Sequence, residues 1–168
     1  MISPDLIFLF TGVAVAAVID VRTRRIPNAL TFALMGVGLL ASATVGPGVG
    51  FGLLGLAAAF AVHFTLWQLG VDAAGDAKLF MAIGAFLGWK GMLEATLWRF
   101  LLHVPFAVIV LTALGRWGNF RAAAQWVLLK QQGVDVGERP EPTYLPLGVV
   151  IALSVPLAVY TDWLELFG

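Results

Sequence analysis

The sequence predicts an all-α fold: a polytopic membrane helix bundle of about six transmembrane helices plus one interfacial amphipathic helix. Three observations carry this expectation. Hydrophobic residues make up 60% of the 168 residues and charged residues 12%, against about 45–50% and about 25% in ordinary soluble domains. Mean hydropathy is +0.93. Half the usual charge cannot cover a soluble domain of this size, so lipid must solvate most of the chain. The apolar runs are continuous, as in Leu53-Leu54-Gly55-Leu56-Ala57-Ala58-Ala59-Phe60, without the alternation of a β-barrel strand. This composition excludes a disordered protein, a soluble enzyme and a nucleic-acid binder with a basic face. Ten basic and ten acidic residues cancel, and no cysteine supplies a disulfide or a thiolate metal site. One membrane domain, residues 1–168, is expected.

The first span runs from about Leu6 to Ile19. It follows Ser3-Pro4-Asp5 rather than a basic segment, and no small-residue cleavage site precedes Asp20, so it reads as a retained helix. The second runs from Ala29 to Val45 and the third from Phe51 to Leu69, with Gly46-Pro47-Gly48-Val49-Gly50 as an outer turn. The fourth starts near Leu79 and ends by Met92 or Leu93. Its apolar run to Trp89 covers only about 16 Å as a helix, short of the roughly 30 Å hydrocarbon layer. Its inner end is therefore expected below the membrane surface, with Ala73 to Asp76 as non-helical backbone in a wet cleft. The fifth span covers Ala95 to Leu114 and the sixth Leu145 to Leu164. Between them, Asn119 to Gln132 is too polar to span. Phe120, Ala123, Ala124, Val127 and Leu128 recur there at helical spacing, which predicts a helix lying on the inner leaflet with Trp126 as its anchor. Gln132 to Thr143 reads as a polar loop.

Orientation follows the basic residues. Arg22, Arg24 and Arg25, then Lys78, then Arg116, Arg121, Lys130 and Arg139 all fall in loops on one side, and Lys90 and Arg99 on the other. The first side is expected to be cytoplasmic. Both termini, with Asp5, Asp162 and Glu165, then lie outside. Trp67 and Trp117 mark inner helix ends, and Trp89, Trp98 and Trp163 outer ones.

Most acidic residues are expected to be solvated loop charges. Two differ. Asp20 directly follows the first apolar run, at a helix C-terminus where the macrodipole disfavours an anion. Asp76 immediately precedes the fourth span, where it fits an N-cap. Each alone reads as a border residue. Both fall at inner helix ends, however, so a bundle can bring them together. Two carboxylates a few ångströms apart cannot both ionise readily and share a proton. Such a pair can act as base and acid at once: one carboxylate deprotonates an attacking water while the other protonates or stabilises the developing oxyanion. His63 and His103 each stand alone in an apolar run and read as packing residues. No nucleophile elbow, phosphate loop or dinucleotide fingerprint is present.

The motif Asp20-Val-Arg22-Thr-Arg-Arg-Ile26-Pro27-Asn28 resembles the first signature of the type IV prepilin peptidases, in the short form associated with Flp/Tad-type pili. Gly75-Asp76-Ala77-Lys78-Leu79 resembles their second, the Gly-x-Gly-Asp motif shared with presenilin-type aspartyl proteases. Tyr144-Leu145-Pro146-Leu147-Gly148-Val149 is similar to a third, Pro-Tyr-Gly element opening the last helix. The three occur in family order. The resemblance implies that Asp20 and Asp76 are the catalytic pair, supported by Arg22, Ile26, Pro27, Asn28, Gly75, Lys78, Pro146 and Gly148. It implies cleavage of a basic leader from a prepilin or pilin-like precursor at the cytoplasmic face of the bacterial inner membrane. Membrane lipid is the other expected partner; no cofactor, no metal and no nucleic acid are. Longer members carry a cysteine-rich domain and methylate the new amino terminus. With no cysteine in the chain, neither zinc nor methyltransferase activity is expected. Ala73 replaces the first motif glycine and would be strained in a left-handed turn; Leu147 replaces the tyrosine of the third element. Pro27 is expected to pre-set the second helix, with Asn28 as its cap. Lys78 is expected to act on Asp76 or on a lipid phosphate. The alternatives are a presenilin-like or preflagellin peptidase, and a non-catalytic helical assembly protein of a pilus or secretion system. A transporter is disfavoured because no inverted repeat is visible.

Overall fold

The computed structural model describes residues 3–138 and 145–161, and among them every regular element is a helix. The expectations for Arg139, Tyr144, Asp162, Trp163, Glu165 and the last residues of the sixth span lie outside the described residues.

Helix α1, Pro4–Thr23, opens on a proline, whose missing N–H would be unsatisfied at that position anyway. It ends on Arg24, left-handed at φ 58°, whose N–H returns to the Asp20 carbonyl at 2.8 Å. Helix α2 spans Asn28–Thr44, α3 Val49–Gln68, α4 Ala74–Ala113, α5 Trp117–Gln131 and α6 Leu147–Thr161. Three of these, α1, α3 and α4, are long and apolar enough to cross a membrane; α2 and α6 are shorter apolar helices. Their outward faces carry Phe8, Val18, Phe32, Leu40, Leu54 and Leu101, an apolar surface suited to lipid rather than water.

The long α4 differs from the sequence expectation. Gly88, at φ 68° and ψ −176°, interrupts it and divides it into arms 74–87 and 89–113. Only glycine adopts this backbone readily, and a Cβ there would also strike the Phe51 ring. Arg99 contacts Asp72, although a straight helix would carry it roughly 37 Å beyond Ala74; the second arm therefore folds back along the first. The break falls before Lys90 rather than after it, and Glu94 is a buried helical residue. Ala74 to Asp76 are helical, so the expected non-helical cleft is absent there. Among the described residues the non-glycine with positive φ is Arg24, so Ala73 bears no left-handed strain.

The chain falls into two compact units, Met1–Leu102 with Pro146–Gly168 and His103–Leu145. In the first, α1 packs on α2 and α6, and α2 on α3. Leu9, Val13, Phe80, Ile83, Met92 and Ile151 belong to its core. The Ser42 hydroxyl donates to the Ala85 carbonyl at 2.8 Å and ties α2 to α4. In the second unit, α5 has no buried residue. Its Trp126 indole donates to the Gly137 carbonyl, with the Lys130 ammonium 4.6 Å from the ring centre.

Candidate active site

Asp20 lies in the last turn of α1 and Asp76 in the first turn of α4; both are buried, at 5% and 4% exposure. Asp76 is thus inside its helix and not the cap expected for it. The unfavourable end of α1 that carries Asp20 is offset by the favourable end of another helix. The Gly148 N–H, in the first turn of α6, donates to Asp20 Oδ2 at 2.9 Å. This N–H is one of those a helix start leaves without an internal partner. A side chain at Gly148 would crowd this contact: a Cβ would stand 3.0 Å from the Asp20 Cβ. Pro146, just before α6, accepts from the Val149 N–H at 3.2 Å.

Two further contacts join the first motif to the second. Ile26 is buried against Gly75, where an added Cβ would approach the Ile26 Cβ to 3.3 Å. Lys78 Nζ donates to Asn28 Oδ1 at 2.8 Å. Asn28 is therefore not a cap: α2 starts at Asn28 itself, after Pro27, without a side-chain cap, and the amide oxygen serves the lysine. Arg22 is exposed on α1. Beside this junction an apolar cavity of about 460 Å³ is lined by Phe32, Phe60, Phe64, Trp67, Lys78 and Met81, among others.

The charges whose fields reach Asp76 are Arg99, Asp20 and Asp72. The first and last of these were expected elsewhere, Arg99 on the outer side and Asp72 in a solvated loop. Instead Asp72 is 6% exposed and Arg99 1%. Arg99 Nη1 lies 2.5 Å from Asp72 Oδ1. His63 Nδ1–H donates to Asp72 Oδ2 at 2.6 Å, and His63 Nε2 faces the Thr96 hydroxyl at 3.0 Å. The imidazole stacks on Phe80, centroids 3.9 Å apart. Burial alone would raise the Asp72 carboxyl, but the His63 hydrogen bond and the Arg99 charge outweigh it and hold Asp72 below its ordinary value. His63 is thus no lone packing residue. The signal was available in the sequence. His63 and Arg99 are ionisable residues inside apolar runs, where such groups pair with one another; Asp72, four residues before Asp76, is the carboxylate nearest in sequence to His63.

Among the described residues, no group of three or more His, Cys, Asp or Glu side chains is arranged to hold a metal ion. A model of the type IV leader peptidase family matches residues 7–108. This stretch includes Asp20, His63, Asp72, Asp76 and Arg99 and ends before Gly148. A prepilin leader peptidase/N-methyltransferase of Xanthomonas campestris pv. campestris is 34% identical over 125 residues, 66% of this chain and 44% of the relative. The chain thus spans less than half the length of that curated relative. No solved structure matches it.

Proposed function

The chain belongs to the type IV leader peptidase family, and from that premise we propose that Asp20 and Asp76 are the catalytic pair of a membrane-embedded aspartyl endopeptidase that cleaves prepilin or pilin-like precursors. One carboxylate takes a proton from water as it attacks the scissile carbonyl; the other, protonated, stabilises the oxyanion and then protonates the leaving amine. Neither step calls for a cofactor or a covalent intermediate. The observation that carries this reading is the junction of three separate sequence segments: Ile26 on Gly75, Asn28 on Lys78, and Gly148 on Asp20. It joins the segments that carry two buried carboxylates, with Asp76 in the field of Asp20.

The break at Gly88 supports a topology of six passes: α1, α2, α3, the two arms of α4, and α6. Arg22, Arg24, Arg25 and Lys78 sit at the Asp20 end, which the positive-inside rule makes cytoplasmic. The leader, expected to be basic, would lie in water on that side, in the bacterial inner membrane. The apolar cavity beside Lys78 suits the hydrophobic segment that follows the scissile bond. The test is co-expression with candidate prepilins and a gel shift for leader removal, repeated with Asp20→Asn and Asp76→Asn. The wild type is expected to process the precursor and both variants to leave it intact. Processing by either variant would overturn the assignment.

A further inference from the structure

The Thr96 hydroxyl carries one proton and has two acceptors within reach. Its oxygen lies 2.9 Å from the Met92 carbonyl, one turn back on the second arm of α4, and 3.0 Å from His63 Nε2 on α3. A hydroxyl has a single hydrogen to donate and accepts through its lone pairs, so one of the two is served at a time. With the hydrogen on the Met92 side, where a helical threonine commonly places it, the oxygen can only accept from His63, and Nε2 carries a hydrogen. Nδ1 already donates to Asp72 Oδ2 at 2.6 Å. Both ring nitrogens are then donors, and the ring is an imidazolium. With the hydrogen turned to Nε2, that nitrogen accepts and the ring is neutral. The imidazole keeps both hydrogen bonds in either arrangement. That matters because His63 and Met92 are 0% exposed and Thr96 is 5% exposed. A change of charge at a buried group ordinarily strands a donor or an acceptor; here the rotation of one hydroxyl prevents it.

We propose that His63 is a buried proton-binding site with the Thr96 hydroxyl as its rotor, and that it switches the tie between α3 and the second arm of α4 between a neutral and a cationic form. In the neutral form the Arg99 cation balances the Asp72 carboxylate; in the cationic form the same carboxylate stands between two cations. The proton comes from solvent and bonds to Nε2 as the hydroxyl turns to Met92; release reverses both movements. Histidine is the side chain whose charge ordinarily changes between about pH 5 and 8. The charged groups beside it are Asp72, from the connection before α4, and Arg99, from the second arm. Phe80, from the first arm, covers one ring face. The other ionisable groups of α4 are Asp76, one turn before Phe80, Lys78, engaged by Asn28, the exposed Lys90 and the buried Glu94. His63 is the sole ionisable side chain of α3, and α2, packed on it, has none. Nothing in the switch calls on Asp20 or on cleavage.

The experiment is nitrogen NMR of the full chain in detergent micelles, with isotope-labelled histidine, from about pH 5 to about pH 9. The chain has two histidines, and His103→Gln assigns their signals. In the wild type, His63 is expected to pass from two protonated ring nitrogens to one as pH rises, with the remaining hydrogen on Nδ1 and the fold intact. Thr96→Ser keeps the hydroxyl and should behave in the same way. Thr96→Val would strand the Nε2–H of an imidazolium, so His63 is expected to stay neutral over the whole range. The difference in unfolding midpoint between wild type and Thr96→Val should then change with pH. A wild-type His63 that holds one state throughout, or a neutral form with its hydrogen on Nε2, would overturn the proposal, and both are read without any Thr96 variant. A Thr96→Val variant that titrates like the wild type, or a midpoint difference that stays constant, would overturn the rotor.

Discussion

Two acidic clusters occupy the same end of the first unit and meet their charge in opposite ways. At Asp72 the negative charge is matched at once: a histidine donates to one carboxylate oxygen and an arginine contacts the other. At Asp76 the charge of a second carboxylate, Asp20, bears on the first, and Asp20 itself accepts a hydrogen bond from the neutral backbone N–H of Gly148. Like charges brought together are unfavourable unless a proton is shared. Groups with perturbed ionisation concentrate at functional sites and also occur in structural ion-pair networks. The matched cluster's carboxylate, Asp72, lies four residues before Asp76 in the chain.

The largest expected effect separates the clusters by chemistry. Asp20→Asn and Asp76→Asn keep the side-chain shape but cannot shuttle a proton. Each should lower the cleavage rate by about 10²–10⁴-fold or more while thermal unfolding in detergent stays near the wild type. Full activity with a lowered unfolding temperature would mean that the pair is structural. Asp72→Ala should do the reverse, lowering stability first. It leaves Arg99 buried and unpaired, a loss of about 3–5 kcal/mol, read from the unfolding midpoint.

The same cluster predicts a pH dependence. Asp72 titrates below its ordinary value in the folded protein. Its contribution is therefore complete above the ordinary carboxylate value and is lost as pH falls through the lowered one. Wild-type unfolding midpoints should drop across that acid window. Asp72→Asn should lack this component of the drop; an identical slope would show that Asp72 does not supply it. A smaller effect should come from Gly148→Ala, whose Cβ pushes against Asp20. A displacement of this kind near the reacting groups lowers the rate by about 10²-fold, with little change in stability. The smallest should come from Asn28→Ala. It removes one partly solvated hydrogen bond to Lys78, worth about 1 kcal/mol or less, and should leave the pH profile unmoved.

The helical architecture was legible because continuous apolar runs survive any packing. The limits of α1, α2 and α3 fall within a few residues of the expected spans. The two carboxylates stood out as charges at apolar borders, and their common helix-end position led to the expectation that a bundle brings them together. The turn in α4 was misjudged because Lys90 and Glu94 look like loop residues, whereas the break is set by the backbone of Gly88 against Phe51. Asn28 looked like a cap because capping is local; its lysine partner is fifty residues away. In the His63–Asp72–Arg99 cluster, His63 and Arg99 stood out as ionisable residues inside apolar runs, but their pairing through Asp72 did not. The cluster's members lie on three different segments, and no periodicity links them.

The buried arginine also bears on how the chain is made. An arginine at the centre of an inserting helix opposes partition into lipid by about 2.5–3.5 kcal/mol, and the arm 89–113 carries one 11 residues beyond the break. The acceptor, Asp72, and the histidine that braces it are synthesised first. If α3 and the first arm are already in the membrane when Arg99 leaves the ribosome, the second arm enters against a waiting counter-ion rather than bare hydrocarbon. The order of residues along the gene thus provides an assembly sequence, and the tight turn at Gly88 keeps the late-arriving charge beside its partner.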